Sequence, residues 1–555
     1  MSAPTFEPPG KGQWVSLRDH FPRAVTPEYA ELLPTAMAEG EAIPFAEYGL
    51  PIKTLTAGLV HGHVYVTPAP LVGKPSNGIP PSSVLWLVAR LLPQFRRRAR
   101  AARRTLATRP WLDDAARWYA SERATWADAN RALQADDLDA MSAADLADHI
   151  ERARAHAGAG YRRHFALHGP DLLPTGLLLA RCDEWGIGAE AVLPALTGCS
   201  PASMGTGPAL EALRLAMRSS GASTPDGVPW TIDDLHRAAP AELETFLDEH
   251  GWRLVTGYDL DCRALIELPA LVATLAAAVA PPVADTADAD RALDALRRLV
   301  PSGATHELEQ LVSDARATLG LRDDNGGLTG AWPMGLLRRG MLAAGRLLVA
   351  NGSLQEADHA LEVTVAELTA LLRGQTGPSA VQVGTRAAQR ARRSALVPPL
   401  QLGPTIDVPL DVLPAPMRAM SRAQLALRDT FTAPLDERLA LEGDGIGDEV
   451  YVGRACVATD PAEAMARLEP GDVLVALGTT PAFNMALSLV GAVVVEEGGL
   501  LSHAAVIARE LGLPALVGVA GAMGSVSDGD IVEVDPVAGR LRVVSPASPL
   551  LSPGP

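Results

Sequence analysis

Val493-Val494-Val495-Glu496-Glu497-Gly498-Gly499-Leu500-Leu501-Ser502-His503-Ala504-Ala505-Val506-Ile507-Ala508-Arg509-Glu510-Leu511-Gly512-Leu513-Pro514-Ala515-Leu516-Val517 is the stretch whose reading decides the fold. A buried strand over Ala492–Val495 runs into a Gly-Gly turn. The turn delivers Ser502 and His503 to the start of a helix over about His503–Leu511. Gly512 is a favourable C-cap residue, and Pro514 lies just beyond it. Ala515–Val517 reads as the next strand. A Gly-rich entry to such a βαβ-like unit gathers free backbone N–H groups and the positive end of the helix dipole, where an anion is favoured. A histidine there is suited to holding a phosphoryl group on a ring nitrogen. Its ordinary pKa of about 6.5 leaves it a nucleophile near neutral pH. Taken alone, a histidine after Gly-Gly reads as a surface or capping residue; the length of the surrounding run sets this one apart.

The whole run resembles the phosphohistidine signature of the phosphoenolpyruvate-utilising enzymes: Gly-Gly, two residues, Ser-His, two small and two apolar residues, then Ala-Arg-Glu-Leu-Gly-apolar-Pro-Ala. Many members carry Thr two residues before the histidine, where this chain has Leu501, and the Leu-Ser-His form is similar to the rifampin-phosphotransferase branch. The resemblance implies that His503 is the nucleophile and then the leaving group. It implies that Gly498 and Gly499 let the backbone approach the phosphate and that Ser502 donates a hydrogen bond to it. Arg509 is implied as a charge partner, or as half of a structural ion pair on its helix.

Composition bounds the alternatives. The 555 residues suffice for two to four domains. A net charge of −17 argues against a nucleic-acid partner. Cys182, Cys199, Cys262 and Cys456 are scattered and form no CxxC, so neither a disulfide framework nor a metal site is expected. The N-terminus lacks the pattern of a signal peptide, and the apolar run Leu268–Ala284 is interrupted by prolines. A cytoplasmic protein with no membrane partner is the expectation.

The fold expected is α+β and multidomain. Residues 1–80 read as irregular and β-rich, because prolines such as Pro34 and Pro44 break long helices. Val60–Val66 reads as a hairpin turning at Gly62, with His61 and His63 as ordinary hairpin histidines. Residues 81–394 read as a mainly helical body that holds an acceptor, with loops at Pro281–Asp290 and Leu321–Gly330. Within it, Arg96–Arg104 reads as a basic helical face that is either solvated or turned toward an anion or partner. Residues 395–442 read as an extended, Pro-rich hinge. Residues 443–548 resemble the swivelling β/β/α phosphohistidine domain, and 549–555 form a tail. Gly251, Arg253, Asp259, Glu267 and Pro269 fall in step with the substrate region of rifampin-phosphotransferase-like proteins, and Asp259 is expected to pair with Arg253.

No Gly-rich phosphate loop followed by lysine and no acidic metal pair is found. Relatives carry an ATP-grasp module, and phenylphosphate-synthase-type systems place it on a separate subunit. The resemblance therefore implies a phosphotransferase subunit that binds no cofactor itself. ATP and Mg2+ would sit on a separate ATP-grasp partner, and the phosphoryl group would pass to a small-molecule hydroxyl or enol. The substrate-binding residues are not legible. A non-catalytic phosphocarrier, or a degenerate relative that only binds a ligand, are the alternatives.

Overall fold

The computed structural model describes residues 4–199, 207–221, 230–277, 286–407, 409–431 and 441–547. The tail at 549–555, the first half of the expected loop at 281–290, and part of the expected hinge lie outside the described residues; the second half of that loop is instead the start of a helix, Thr286–Leu299.

The body is built on one helix of 42 residues, Ala143–Glu184. Ser142 caps it by accepting from the Asp145 N–H. Against it pack Pro27–Tyr48, Trp332–Ala350 and Ala415–Phe431. Their buried faces merge into a core that includes Tyr29, Leu33, Ile150, Met334, Leu337 and Met341. Pro27–Tyr48 corrects the expectation of an irregular N-terminal segment. Pro34 and Pro44 both lie inside this 22-residue helix. Its buried Leu32, Leu33, Ala36, Met37 and Phe45 supply the packing that outweighs two missing helical hydrogen bonds. The hairpin forms as read: Ile52–Val60 pairs with His63–Pro70 through His61 and Gly62, both at positive φ. With Trp14–Ser16 and Gln401–Leu402 these strands make a four-stranded antiparallel sheet.

Two other expectations change. Leu321–Gly330 is not a loop. Leu321–Asn325 is α-helical and Gly326–Ala331 a π-turn leading directly into Trp332–Ala350. The Gly-Gly pair that suggests a loop here lets the helix widen against its long neighbour. The Pro-rich segment departs from an extended tether in its later part: 396–407 contains no helix, whereas Ala415–Phe431 is helical. Gln401–Leu402 joins the N-terminal sheet, and Ala415–Phe431 lays Met417, Met420 and Ala423 into a buried cluster with Leu173.

The C-terminal sheet has seven strands, with four parallel ones in its centre: Tyr451–Ala458, Val473–Ala476, Ala492–Val495 and Ala515–Val517. Alternate residues of the central strands enter two separate cores. Leu474, Val493 and Val495 face one side, and Val473, Val475 and Val494 face the other. His503–Leu511 is a helix on the first of these faces, closed at Gly512 with φ 61°. Among the described residues no helix is long and apolar enough to cross a membrane.

The close approach of the long helix to the π-turn is testable. A Cβ at Gly160 would lie 2.1 Å from the Thr329 carbonyl oxygen. Gly160→Ala should lower unfolding stability by about 1–3 kcal/mol, read from the urea midpoint. An unchanged midpoint would mean that the two backbones are not held at this distance.

Candidate functional site

His503 opens its helix, and Ser502 holds the N-cap position with extended backbone. Gly498 has φ +109°, and a Cβ there would lie 2.9 Å from Ser502 Cβ, so this turn requires glycine. Gly498, Gly499 and Ser502 thus form one turn leading into His503. The Ser502 N–H donates to the Gly499 carbonyl at 2.9 Å. The Ser502 hydroxyl is buried and makes no hydrogen bond.

Sequence reasoning expects a largely exposed His503 ring. It is instead 7% exposed. Its nitrogens are held within its own domain: Asn484 Oδ1 lies 2.7 Å from Nε2, and the Thr479 hydroxyl lies 3.0 Å from Nδ1. With the Asn484 oxygen facing Nε2, that nitrogen carries the proton and donates, while Nδ1 accepts from Thr479. Burial holds the pKa well below its ordinary value, and the charges of Arg322 and His20 add to the effect. His503 is therefore a neutral imidazole at neutral pH.

Burial comes from docking onto the helical body. Leu501 N–H donates to the Thr430 carbonyl at 3.0 Å. Leu501 is buried among Leu178, Leu179, Leu196 and Leu427. An aliphatic residue at this position thus anchors the loop to the body. Arg18 pairs with Glu497, Arg23 Nε lies 3.9 Å from Asp460, and the Gly198 N–H donates to the Glu510 carboxylate. The cavity left between the two bodies is about 30 Å3 and is lined by His20, Tyr258, Thr459, Gly478 and Thr480 among others. That volume has room for roughly two waters.

Arg509 does not face this site. Its guanidinium donates to the Leu500 carbonyl at 2.6 Å and also to that of Ala505, bracing the loop, and burial pushes its pKa down to about 10. The cation that acts on His503 is Arg322. The sequence reading misses it because it takes that segment for a loop. Asp259 does not pair with Arg253. It accepts from the Thr26 N–H and hydroxyl, while Arg253 stacks on Trp332 and lies 3.8 Å from Glu249.

The same Arg322 acts on a polar stripe of the long helix. His164, His168, Asp171 and Thr175 fall at helical spacing on one face. Asn325 donates its amide to the Leu321 and Arg322 carbonyls, which fixes its oxygen toward His164 Nδ1 at 2.6 Å. His164 Nδ1 therefore donates, and its Nε2 accepts from His168 Nε2 at 3.2 Å. His168 Nδ1 keeps a lone pair 3.7 Å from Glu41. Burial lowers both histidines to about 3 and raises Asp171 and Glu41 to about 8 each. Neither Asp171 carboxyl oxygen has a hydrogen-bond partner, nor has the Thr175 hydroxyl. The His-x3-His-x2-Asp-x3-Thr spacing is the signal that could have located this stripe. Among the described residues no cluster suited to a metal ion is present.

Residues 468–539 match the family PEP-utilising enzyme, mobile domain. A chondramide synthase of Chondromyces crocatus is 26% identical over 556 residues, covering 94% of this chain and 14% of that protein. An uncharacterised phosphotransferase, YvkC, of Bacillus subtilis (strain 168) is 42% identical over 95 residues, 16% of this chain and 11% of that protein. A probable phosphoenolpyruvate synthase of Pyrococcus abyssi is 37% identical over 123 residues, 21% of this chain and 15% of that protein. The chain thus matches between 11% and 15% of the length of these relatives.

The buried stripe sets opposing pH dependences. A histidine with a depressed folded pKa binds its proton more readily when unfolded, so the stability it permits is lost as pH falls below about 6.5. Replacing His168 by Asn should recover about 2 kcal/mol at pH 5 relative to its effect at pH 8. A carboxyl with a raised folded pKa has the opposite sign and costs stability as pH rises from about 4 toward 8. Asp171→Asn keeps the shape of the neutral acid and should raise stability at pH 7, by up to about 4 kcal/mol. Denaturant titrations at three pH values read both effects. A destabilised Asp171→Asn protein at pH 7 would mean that this carboxylate is paired and charged.

Proposed function

We propose that this chain is a phosphotransferase component in which His503 carries a phosphoryl group between two partners. What carries this reading is one observation: a neutral, hydrogen-bonded imidazole stands at a helix N-terminus inside a matched PEP-utilising mobile domain. A ring nitrogen of His503 attacks the terminal phosphorus of a donor, and the bond to the donor's bridging oxygen breaks. In the second half, the acceptor oxygen bonds to phosphorus as the P–N bond breaks, and the acceptor's proton leaves to a base. When one ring nitrogen is phosphorylated, the other keeps its Thr479 or Asn484 bond and the ring keeps its orientation.

The donor in this reading is ATP with Mg2+ on a separate ATP-grasp subunit in the cytoplasm, as in phenylphosphate-synthase-type systems. The phosphotransferase named among the relatives supports the transfer class. The docked arrangement corresponds to the delivery side. The His503 ring is only 7% exposed in the docked arrangement, too little to meet a phosphoryl donor, so in this reading the mobile domain leaves the body to be charged and returns to discharge. Movements of this kind take microseconds to milliseconds. Of the Pro-rich segment, Ala415–Phe431 is packed onto the body. The acceptor is a small hydroxyl or enol compound. It enters beside Arg322, His20 and the His164–His168 pair once the domains part. Arg322 neutralises phosphate charge there, as phosphoryl transfer requires.

Incubation with ATP, Mg2+ and an ATP-binding partner, read by intact mass, tests this. One phosphate should appear, acid-labile and base-stable, and His503→Ala should abolish it. Ser502→Ala should label more slowly, because a charge-assisted hydrogen bond contributes about 1.5–3 kcal/mol. Arg322→Ala should label normally and discharge slowly. Labelling of His503→Ala at the wild-type level would end the phosphohistidine reading and leave ligand binding as the alternative.

A further inference from the structure

The helix Pro93–Thr108 carries six arginines within nine residues: Arg96, Arg97, Arg98, Arg100, Arg103 and Arg104. Its inner face is Phe95, Ala99, Ala102 and Leu106, packed in a cluster with Tyr48 and Trp111. Helical geometry then turns five of the six outward as one stripe. None of the six has a carboxylate within 4 Å among the described residues. Elsewhere arginines are closely paired, as Arg373 is with Asp148 and Glu151, and Arg390 with Asp261 and Glu362. A chain with net charge −17 has no shortage of carboxylates, yet among the described residues none pairs with these arginines. Arg97, Arg98, Arg100 and Arg104 line a surface groove of about 680 Å3, floored by Ala46, Leu71 and Ala101. One guanidinium nitrogen of Arg98 is buried without a hydrogen-bond partner.

The preceding helix, Ser82–Leu91, is joined to this one through Leu92 alone. Seven of its ten residues are apolar, yet only Ala89 is buried. Val84, Trp86, Leu87 and Leu91 are exposed, Leu91 by 60%. Val72, next to the groove residue Leu71, is exposed as well. Exposed apolar side chains, with Arg90 over the Trp86 ring, beside a cationic stripe that has no carboxylate partner among the described residues mark an interaction surface.

We propose that this face docks on an anionic phospholipid bilayer, with the arginines on headgroup phosphates and Trp86, Leu87 and Leu91 in the headgroup–acyl boundary. Charge complementarity selects an anionic surface. A nucleic acid would have no use for the aliphatic ridge beside the groove. An acidic protein would have to match that ridge in shape as well as the stripe in charge, whereas a fluid interface needs no such match. The acidic remainder of the surface is repelled by the same membrane, which orients the molecule with this face down. Binding is peripheral, in keeping with the lack of a spanning helix among the described residues. This departs from the sequence expectation of no membrane partner.

Cosedimentation of the full chain with vesicles tests the proposal. Vesicles of phosphatidylcholine with phosphatidylglycerol should bind it at low salt and release it at high salt, and phosphatidylcholine alone should not. Arg97→Glu with Arg100→Glu and Arg104→Glu should lower the partition coefficient by roughly a hundredfold. Trp86→Ala with Leu87→Ala should lower it by roughly tenfold. The arginine variant should keep the wild-type thermal midpoint, since its three side chains are exposed and have no carboxylate partner among the described residues. Equal binding to neutral vesicles, or no vesicle binding, overturns the proposal. So does arginine-dependent binding to RNA or heparin by a chain that ignores vesicles, which would make the groove a polyanion site instead.

Discussion

A buried imidazole must satisfy both its nitrogens without water, and most of this architecture around His503 follows from that. Thr479 and Asn484 supply the two partners from the strand-to-helix connection beside the His503 helix. The body supplies the exclusion of water. Leu501 is the anchor, and Arg18, Arg23 and the Gly198 N–H hold the flanks through contacts with Glu497, Asp460 and Glu510. The result is an imidazole kept neutral by burial, with the charge of Arg322 on the facing body adding to the effect.

The facing body carries a cost that packing alone does not explain. His164 and His168 are neutral in a fixed tautomeric relay, Asp171 is unpartnered, and Glu41 is half-partnered and protonated. Apolar residues of similar volume would stabilise the long helix better. Polar groups held at such a disadvantage cluster where a ligand or a reaction uses them. Their position beside Arg322, within the field that His503 also feels, joins the two halves of the candidate site across the domain boundary.

Local signals in the sequence were read with differing success, for identifiable reasons. The strand, Gly-Gly turn, helix and Gly512 cap around His503 are encoded within a few residues of each other, so they are legible without tertiary information. Pro34 and Pro44 misled because propensity is a weak force against the buried face of a 22-residue helix. Gly326-Gly327 misled because a π-turn packed on a neighbouring helix looks like a loop in sequence. Arg509 misled because its helical position is legible and the direction of its guanidinium is not.

The sequence by itself therefore determined the βαβ-like unit, the place of His503 at the start of its helix and the Gly-rich turn that precedes it, because these depend on backbone conformations only certain residues adopt. It also determined the arginine helix as a basic face. Only the tertiary structure decided that His503 is buried rather than exposed, that the charge of Arg322 rather than that of Arg509 bears on it, and that the same charge bears on His164, His168 and Asp171. These facts depend on which surfaces of distant segments exclude water from one another, and desolvation is a property of the assembled molecule that no local run of residues encodes.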